Sequence, residues 1–144
     1  IMMCDDKIYV LDAKYYRYGV TGEPRHLPES SSINKQITYG EYIDNCQELK
    51  DKYGNLPIYN AFLMPFNRGE NPFNVSDDYF LNIGEATGEW KNDAKLYEHV
   101  QGIVIDIRFL MNNYTGSHKS KIRNLAKVID EELAKNNGSL PNAD

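Results

Sequence analysis

The sequence predicts an α/β fold in which one mixed β-sheet is flanked by helices. Short apolar runs typical of strands are interspersed with stretches of helical periodicity, in the order β-β-α-β-β-β-α. The 144 residues are enough for one hydrophobic core but not for two. The 41% hydrophobic and 26% charged residues are typical of a globular protein, so residues 1–144 are predicted to form one domain.

The first elements read as a β-hairpin. Residues 1–4 are apolar, residues 5–7 are turn-like, and a second strand runs from Ile8 into Asp12 and beyond. A turn centred on Asp5 and Asp6 would pair residues whose numbers sum to 11, whereas a turn one residue later would pair residues whose numbers sum to 13. Glycine and proline then predict a loop over residues 17–31.

The rest of the chain continues the mixed pattern. Helical spacing over residues 32–53 ends at Gly54, and a buried strand is predicted over 58–64. A loop over 65–78 precedes strands over 79–83 and 100–107. The tail predicts an amphipathic helix over 119–136 that ends before two helix-breaking residues, Gly138 and Pro141. Its apolar stripe consists of Ile122, Leu125, Ile129 and Leu133.

Several functional classes are disfavoured. No apolar run approaches the ~20 residues that span a bilayer. Cys4 and Cys46 are far apart, so neither a disulfide framework nor a zinc knuckle is indicated. The first residues lack a signal-peptide pattern, and a reducing cytoplasmic location fits best. A start at Ile1 suggests a C-terminal fragment of a longer protein.

The net charge of −5 argues against a protein that binds nucleic acid with its whole surface. It leaves room for a local basic strip, of which Lys119 and Lys121 are the candidate DNA contacts. The other reading of this strip is the solvated face of a helix. The full strip comprises His118, Lys119, Lys121, Arg123 and Lys127.

The chemistry that remains is carboxylate chemistry. The sequence contains no P-loop, GxSxG or HExxH motif, and its three histidines are far apart. An acid, one spacer and a lysine on a strand place both charged side chains on one face. The acid can then hold a divalent cation while the lysine stabilises charge on a phosphate. The carbonyl of the spacer offers another hard oxygen ligand for magnesium.

Context selects among the copies of this pattern. Only Asp12 and Lys14 end an apolar, β-branched run, on a face begun by Ile8 and Val10, where charge is costly to hold. The competing reading is that the strand merely reaches the surface at Asp12. Glu89/Lys91 ranks a distant second because it follows two glycines. The five copies are Asp5/Lys7, Asp12/Lys14, Glu48/Lys50, Glu89/Lys91 and Asp93/Lys95.

A metal site of this kind needs a second carboxylate on the preceding strand. Either hairpin register places the partner of Asp12 between Ile1 and a position two residues before it. Asp5 and Asp6 lie roughly 20 Å along the strand at ~3.3 Å per residue, and they are more plausible as turn residues. We therefore expect the first catalytic Asp upstream of residue 1.

The segment Lys-Ile-Tyr-Val-Leu-Asp-Ala-Lys-Tyr-Tyr, the pair Leu27-Pro28 and the segment Ser-Ile-Asn-Lys-Gln-Ile-Thr-Tyr together resemble PD-(D/E)xK restriction endonucleases of the LlaJI type. The resemblance is best over residues 6–43. It implies a PD-(D/E)xK mixed sheet flanked by helices, magnesium dependence and cleavage of double-stranded DNA. The departure from the family pattern is the missing Pro-Asp pair.

By position, the resemblance implies that Asp12 is the metal-binding acid, Ala13 the carbonyl ligand and Lys14 the catalytic lysine. Gln36 falls on the following helix, where related nucleases often place a Gln or Glu near the site. An ordinary surface position is the other reading of Gln36.

The same resemblance makes Lys35 a candidate for phosphate contact, and Tyr39 a candidate for either phosphate contact or packing. Tyr16 belongs to a tyrosine cluster beside the proposed site and is a candidate DNA contact, with packing at the core edge as the alternative.

The predicted function is a Mg²⁺-dependent, type II-like restriction endonuclease that hydrolyses phosphodiester bonds in double-stranded DNA. Cutting both strands needs two sites, so a homodimer or a second restriction subunit is expected. Two alternatives stay open. One is a repair or processing nuclease of the same fold, and the other is a non-catalytic DNA-binding or assembly module.

Overall fold

A computed structural model describes residues 1–67, 79–88, 94–112 and 118–137. The described residues form a five-stranded sheet with the strand order β1-β2-β3-β5-β4. Strands β2, β3 and β5 are parallel, while β1 and β4 are antiparallel edge strands. The strands are β1 (Met2–Cys4), β2 (Lys7–Ala13), β3 (Ile58–Phe66), β4 (Phe80–Ala86) and β5 (Val100–Asp106).

Helices surround this sheet, and the predicted α/β class with a mixed sheet is confirmed. The helices are α1 (Tyr18–Thr21), α2 (Ser30–Asn45), α3 (Gln47–Tyr53), α4 (Ile107–Asn112) and α5 (Lys119–Asn137). Short 3₁₀ turns lie at Pro24–His26 and Leu96–Glu98. The 3₁₀ turn at Pro24–His26 and helix α1 both fall inside the loop predicted over 17–31.

The hairpin prediction is confirmed in its first register. Met2 pairs with Tyr9 and Cys4 with Lys7, so the numbers of paired residues sum to 11. Asp5 and Asp6 have φ angles of 47° and 57°, as the two central residues of a type I′ turn require. Asp5 and Asp6 therefore form the turn at the hairpin tip.

The single helix predicted over 32–53 is wrong, because the chain bends at Cys46 into α2 and α3. Cys46 has an extended backbone with ψ of 105°. Ile43 and Leu49 both pack against the same core cluster. Six residues along a straight helix would separate them by about 240° around the axis, so the bend brings both side chains to one core.

The sheet has a separate apolar core on each face, because side chains alternate along a strand. Helix α2 covers one face and α5 covers the other. The core under α2 includes Ile8, Val10, Ile37, Ile43, Phe62 and Val100. The core under α5 includes Tyr9, Ala61, Ile103, Ile105, Leu125 and Ile129.

Several predicted boundaries shift. Strand β3 continues to Phe66 and β4 continues to Ala86, passing an irregularity at Gly84, whose φ is 123°. The last strand ends at Asp106, and the apolar residues after it form α4. Most of the predicted loop over 65–78, together with Gly138 and Pro141, lies outside the described residues.

Asp130 of α5 ties the hairpin to the helix. It forms an ion pair with Lys7 and accepts a 2.9 Å hydrogen bond from the Tyr9 hydroxyl. The hydrogen bond with Asp130 raises the pKa of Lys7, while burial, followed by the same carboxylate, raises the pKa of Tyr9. Both groups are therefore held in their protonated forms in the folded state.

We expect Asp130→Asn to lower the free energy of unfolding near pH 7 by about 1–2 kcal/mol, since it removes a charged hydrogen-bond acceptor and a half-exposed ion pair. A raised folded-state pKa gives stability that is complete below the unfolded pKa and is lost as pH rises through the folded value. The difference from wild type should therefore shrink above pH 10.5, the usual pKa of Lys7.

Urea unfolding between pH 7 and 11.5 would measure this difference. Glu131→Gln is the control, because Glu131 pairs with Lys127 on the solvent side of the same helix. A difference that stays constant up to pH 11.5 would show that Asp130 stabilises the protein without these protonated partners.

Candidate functional site

Asp12 and Lys14 lie where β2 ends, at the sheet edge shared by the carboxyl ends of the three parallel strands. The Lys14 amide donates a 2.9 Å hydrogen bond to the Leu63 carbonyl and so extends the pairing with β3. Asp12 follows Ile8 and Val10 on the face covered by α2. The charged pair therefore follows directly after the apolar core residues on the same face of β2.

The two charged side chains contact each other directly. The Lys14 ammonium nitrogen lies 3.0 Å from an Asp12 carboxylate oxygen, and each side chain is about one-third exposed, at 35% and 32% respectively. The hydrogen bond with Asp12, followed by its charge, raises the pKa of Lys14. Lys14 is therefore a protonated cation, suited to stabilising negative charge rather than to removing a proton.

The donor atoms suit a hard divalent cation in kind but are few in number. Asp12 has a carboxylate, and the next residue, Ala13, has a backbone carbonyl and ends β2. Across the ranges that the structure describes, no group of three or more His, Cys, Asp or Glu could hold a metal ion. In the observed register, the position opposite Asp12 lies two residues before Ile1.

Gln36 is buried, with 1% of its surface exposed, and it lies beneath β2 rather than on the protein surface. Its side-chain NH₂ group donates to the Val10 carbonyl at 3.0 Å and to Asn60 Oδ1 at 3.1 Å. Among the described residues, its Oε1 atom is buried without a hydrogen-bond partner. Gln36 therefore contacts the strand two residues before Asp12.

Asn60, which the sequence analysis missed, completes this network. It is fully buried in β3 and donates to the Gln36 and Tyr97 carbonyls at 2.9 and 2.8 Å. The signal that could have found it is an amide inside the apolar run Ile58–Met64, because a buried amide needs hydrogen-bond partners. Asn60 thus joins α2, β3 and the turn before β5.

Tyr16 and Lys35 lie on the α2 side of the sheet. The Tyr16 hydroxyl donates a 3.0 Å hydrogen bond to Ser32 Oγ, and its ring packs edge-on against Phe62. The Lys35 ammonium lies 5.7 Å from the centre of the Tyr39 ring. The Tyr16–Ser32 hydrogen bond therefore joins the segment just after Lys14 to the first turn of α2.

Lys119 and Lys121 do not share that face. They belong to α5, which packs on the opposite side of the sheet through Leu125 and Ile129. The Lys121 ammonium lies 5.7 Å from the centre of the Phe109 ring. The structure therefore separates these two lysines from Asp12 by the thickness of the sheet.

The other acid-x-lysine pairs are not built like Asp12/Lys14. Asp5/Lys7 spans the hairpin turn, and Glu48/Lys50 lies in α3, where residues two apart face different directions. Glu89/Lys91 and Asp93 lie outside the described residues. Lys95 forms an ion pair with Asp44 at 3.3 Å.

Two cavities lie on the α2 side of the sheet. An open one of about 670 Å³ adjoins Ile8 and Pro57, at the opposite end of β2 from Asp12. A smaller apolar one of about 160 Å³ adjoins Phe62, the pairing partner of Asp12, and Gly102. The larger cavity is thus remote from the charged pair.

A mixed sheet that carries an acid and a lysine on one face at a strand end is compatible with the restriction-endonuclease-like fold. The model of the LlaJI restriction endonuclease family matches residues 1–87, which include the whole hairpin, α2 and β3. The chain belongs to this family of restriction-type nucleases. No curated protein and no solved structure matches it. No described helix is long and apolar enough to cross a bilayer.

We expect Asn60→Leu to lower the free energy of unfolding by about 2–4 kcal/mol, because it removes the side-chain donor to two buried carbonyls and the acceptor for one N–H of the Gln36 amide. Chemical denaturation at pH 7 measures this loss. Asn45→Leu is the control, since the exposed Asn45 amide donates to the Glu41 carbonyl of its own helix and, in the described ranges, to no other element. Equal effects of the two substitutions would contradict a stabilising role for the buried network.

Proposed function

We propose that this protein is a Mg²⁺-dependent endonuclease that hydrolyses phosphodiester bonds in double-stranded DNA as part of a restriction system. The observation that carries the proposal is the Asp12/Lys14 pair, held on one face at a strand end within the segment that matches the family. Gln36 lies in the same segment. A PD-(D/E)xK arrangement of these groups, in the cytoplasm, is part of the proposal.

The described residues are suited to separate tasks in such a hydrolysis. A bound Mg²⁺ would polarise the phosphate and acidify the attacking water. Asp12 and the Ala13 carbonyl would hold the cation, together with an acid that we propose lies upstream of Ile1. Lys14 would stay protonated and stabilise the negative charge that grows on the phosphate oxygens as water attacks in line.

Gln36 would serve the reaction as a positioning residue. Its amide donates to the Val10 carbonyl, and Val10 precedes Asp12 by two residues on the same face of β2. A shift of β2 would therefore move the carboxylate and the lysine together. Small misplacements of reacting groups have large costs in rate, so the buried amide supports catalysis without touching the phosphate.

DNA would approach the α2 side of the sheet, where Lys14 and Lys35 are exposed to phosphates and Tyr16 lies beside them. We propose that Lys119 and Lys121 contact DNA that reaches around to the α5 side. Cutting both strands requires two such sites, supplied by a homodimer or by a second restriction subunit.

A non-catalytic DNA-binding module is the second candidate. It is favoured by the shortage of carboxylates around Asp12 in the described part of the chain. Such a module would bind DNA with unchanged affinity when Asp12 is replaced, and the full-length protein would cut no DNA. A repair or processing nuclease would instead prefer single-stranded or damaged substrates.

We expect Asp12→Asn and Lys14→Ala to abolish plasmid cleavage by the full-length protein in Mg²⁺, lowering the rate by on the order of 10²–10³-fold or more. The reason is the loss of a metal ligand in one variant and of a cation beside the phosphate in the other. Chelation of the metal by EDTA should stop cleavage by wild type, and added Mg²⁺ should restore it.

Glu48→Gln and Lys50→Ala provide a matched control, because this pair has the same acid-x-lysine spacing in α3. Both control variants should cut at the wild-type rate. Cleavage that survives in Asp12→Asn and Lys14→Ala would rule out this site and make Glu89/Lys91 the next pair to test.

A further inference from the structure

The solvent face of α2 has an unusual composition for an acidic protein. The chain contains 21 acidic residues among 144, yet the two acidic residues of this helix, Glu41 and Asp44, are half-buried rather than exposed. The exposed positions are instead occupied by side chains that can donate hydrogen bonds. They include Ser31, Lys35, Thr38, Tyr39, Tyr42 and Asn45.

Three of these residues form a single stripe. Lys35, Tyr39 and Tyr42 follow the i, i+4, i+7 spacing that places side chains along one side of a helix. Tyr39 is 43% exposed and Tyr42 is 73% exposed, so both side chains are accessible to a partner. Within the described residues, neither tyrosine hydroxyl has a hydrogen-bond partner.

Two exposed polar residues of the helix are already engaged locally. The Thr38 hydroxyl donates to the Asn34 carbonyl, and the Asn45 amide donates to the Glu41 carbonyl. The stripe of Lys35, Tyr39 and Tyr42 thus supplies the outward donors. It contains one positive charge and two hydroxyls, a set that matches phosphate oxygens and offers no carboxylate to repel them.

The stripe is continuous with the Asp12/Lys14 pair. Tyr16, two residues after Lys14, donates a hydrogen bond to Ser32, which lies three residues before Lys35 on α2, and Lys35 packs over the ring of Tyr39. From Lys35 to Tyr42 the helix rises about 10 Å, at 1.5 Å per residue. One DNA strand carries a phosphate about every 3.4 Å of helix axis, so the stripe can face several successive phosphates.

We propose that Lys35, Tyr39 and Tyr42 form a phosphate-backbone contact surface that guides one DNA strand to Asp12 and Lys14. The occupant is the backbone of double-stranded DNA, so this inference rests on the proposed nuclease function. Lys35 neutralises one phosphate, while the two tyrosine hydroxyls donate hydrogen bonds to its neighbours. The surface orients the duplex and reads no base sequence, because phosphate contacts carry no direct sequence information.

The test first measures binding of a fluorescent 30-base-pair duplex to the full-length protein over a series of salt concentrations, with Ca²⁺ replacing Mg²⁺. It then measures plasmid cleavage in Mg²⁺ by the same preparations. Lys35→Ala should weaken binding and make the slope of log affinity against log salt shallower by about 1, the value expected for one lost phosphate contact. Tyr39→Phe and Tyr42→Phe should each weaken binding about three- to tenfold with an unchanged slope, because they remove neutral donors.

Lys52→Ala and Tyr53→Phe are matched controls. The Lys52 ammonium lies 4.8 Å from the centre of the Tyr53 ring, so α3 presents a similar lysine-over-tyrosine pair away from the stripe. These controls should bind and cut like wild type. Circular dichroism of all variants checks that α2 and α3 remain folded.

Each outcome bears on a different part of the proposal. If wild type binds and cuts DNA while the stripe variants match the controls, the contact surface is wrong and the nuclease function stands. If wild type neither binds nor cuts, the nuclease function fails and the surface fails with it. If Tyr42→Phe changes the sedimentation mass instead of the DNA affinity, the stripe is an interface between copies of the protein, and the proposal is overturned.

Discussion

The hydrogen bonds of Asn60 are the constraint on which the arrangement around Asp12 depends. The buried Asn60 amide lies in the central strand β3 and donates hydrogen bonds to α2 and to the turn before β5. Gln36 of α2 donates hydrogen bonds to Asn60 and to the Val10 carbonyl, which extends the network to β2. Because these groups are cut off from water, an incomplete network would leave buried polar atoms unpaired. The position of β2 relative to its neighbours is therefore set chemically as well as by apolar packing.

The charged pair is a product of that arrangement. Ile8 and Val10 occupy the core under α2, and the same face of β2 then carries Asp12 to the sheet edge. There the carboxylate is partly exposed and contacts Lys14, which offsets some of the cost of placing charge beside a core. The ion pair in turn raises the pKa of Lys14, so that the lysine presents a persistent positive charge to any phosphate that approaches.

Much of the scaffold could be predicted because it is encoded locally. The Asp5-Asp6 turn, the alternation from Ile8 to Asp12 and the apolar stripe of α5 each depend on residues close together in the sequence. The bend at Cys46 could not be predicted in this way, since apolar spacing continues through it. Asn60 and Asp130 were missed for a related reason. Their partners lie 24, 37, 121 and 123 residues away, and no local pattern shows such pairings.

The sequence by itself determined the α/β class and the hairpin register options. It also led to the prediction of Asp12/Lys14 among five similar pairs, because this pair ends an apolar strand whose periodicity places both side chains on one face. Only the tertiary structure decided that Gln36 is buried against β2 and that Lys35 shares the side of Lys14. It also placed Lys119 and Lys121 on the other side of the sheet. The face that a helix covers depends on how the chain crosses over the sheet, and helical periodicity carries no information about that crossing.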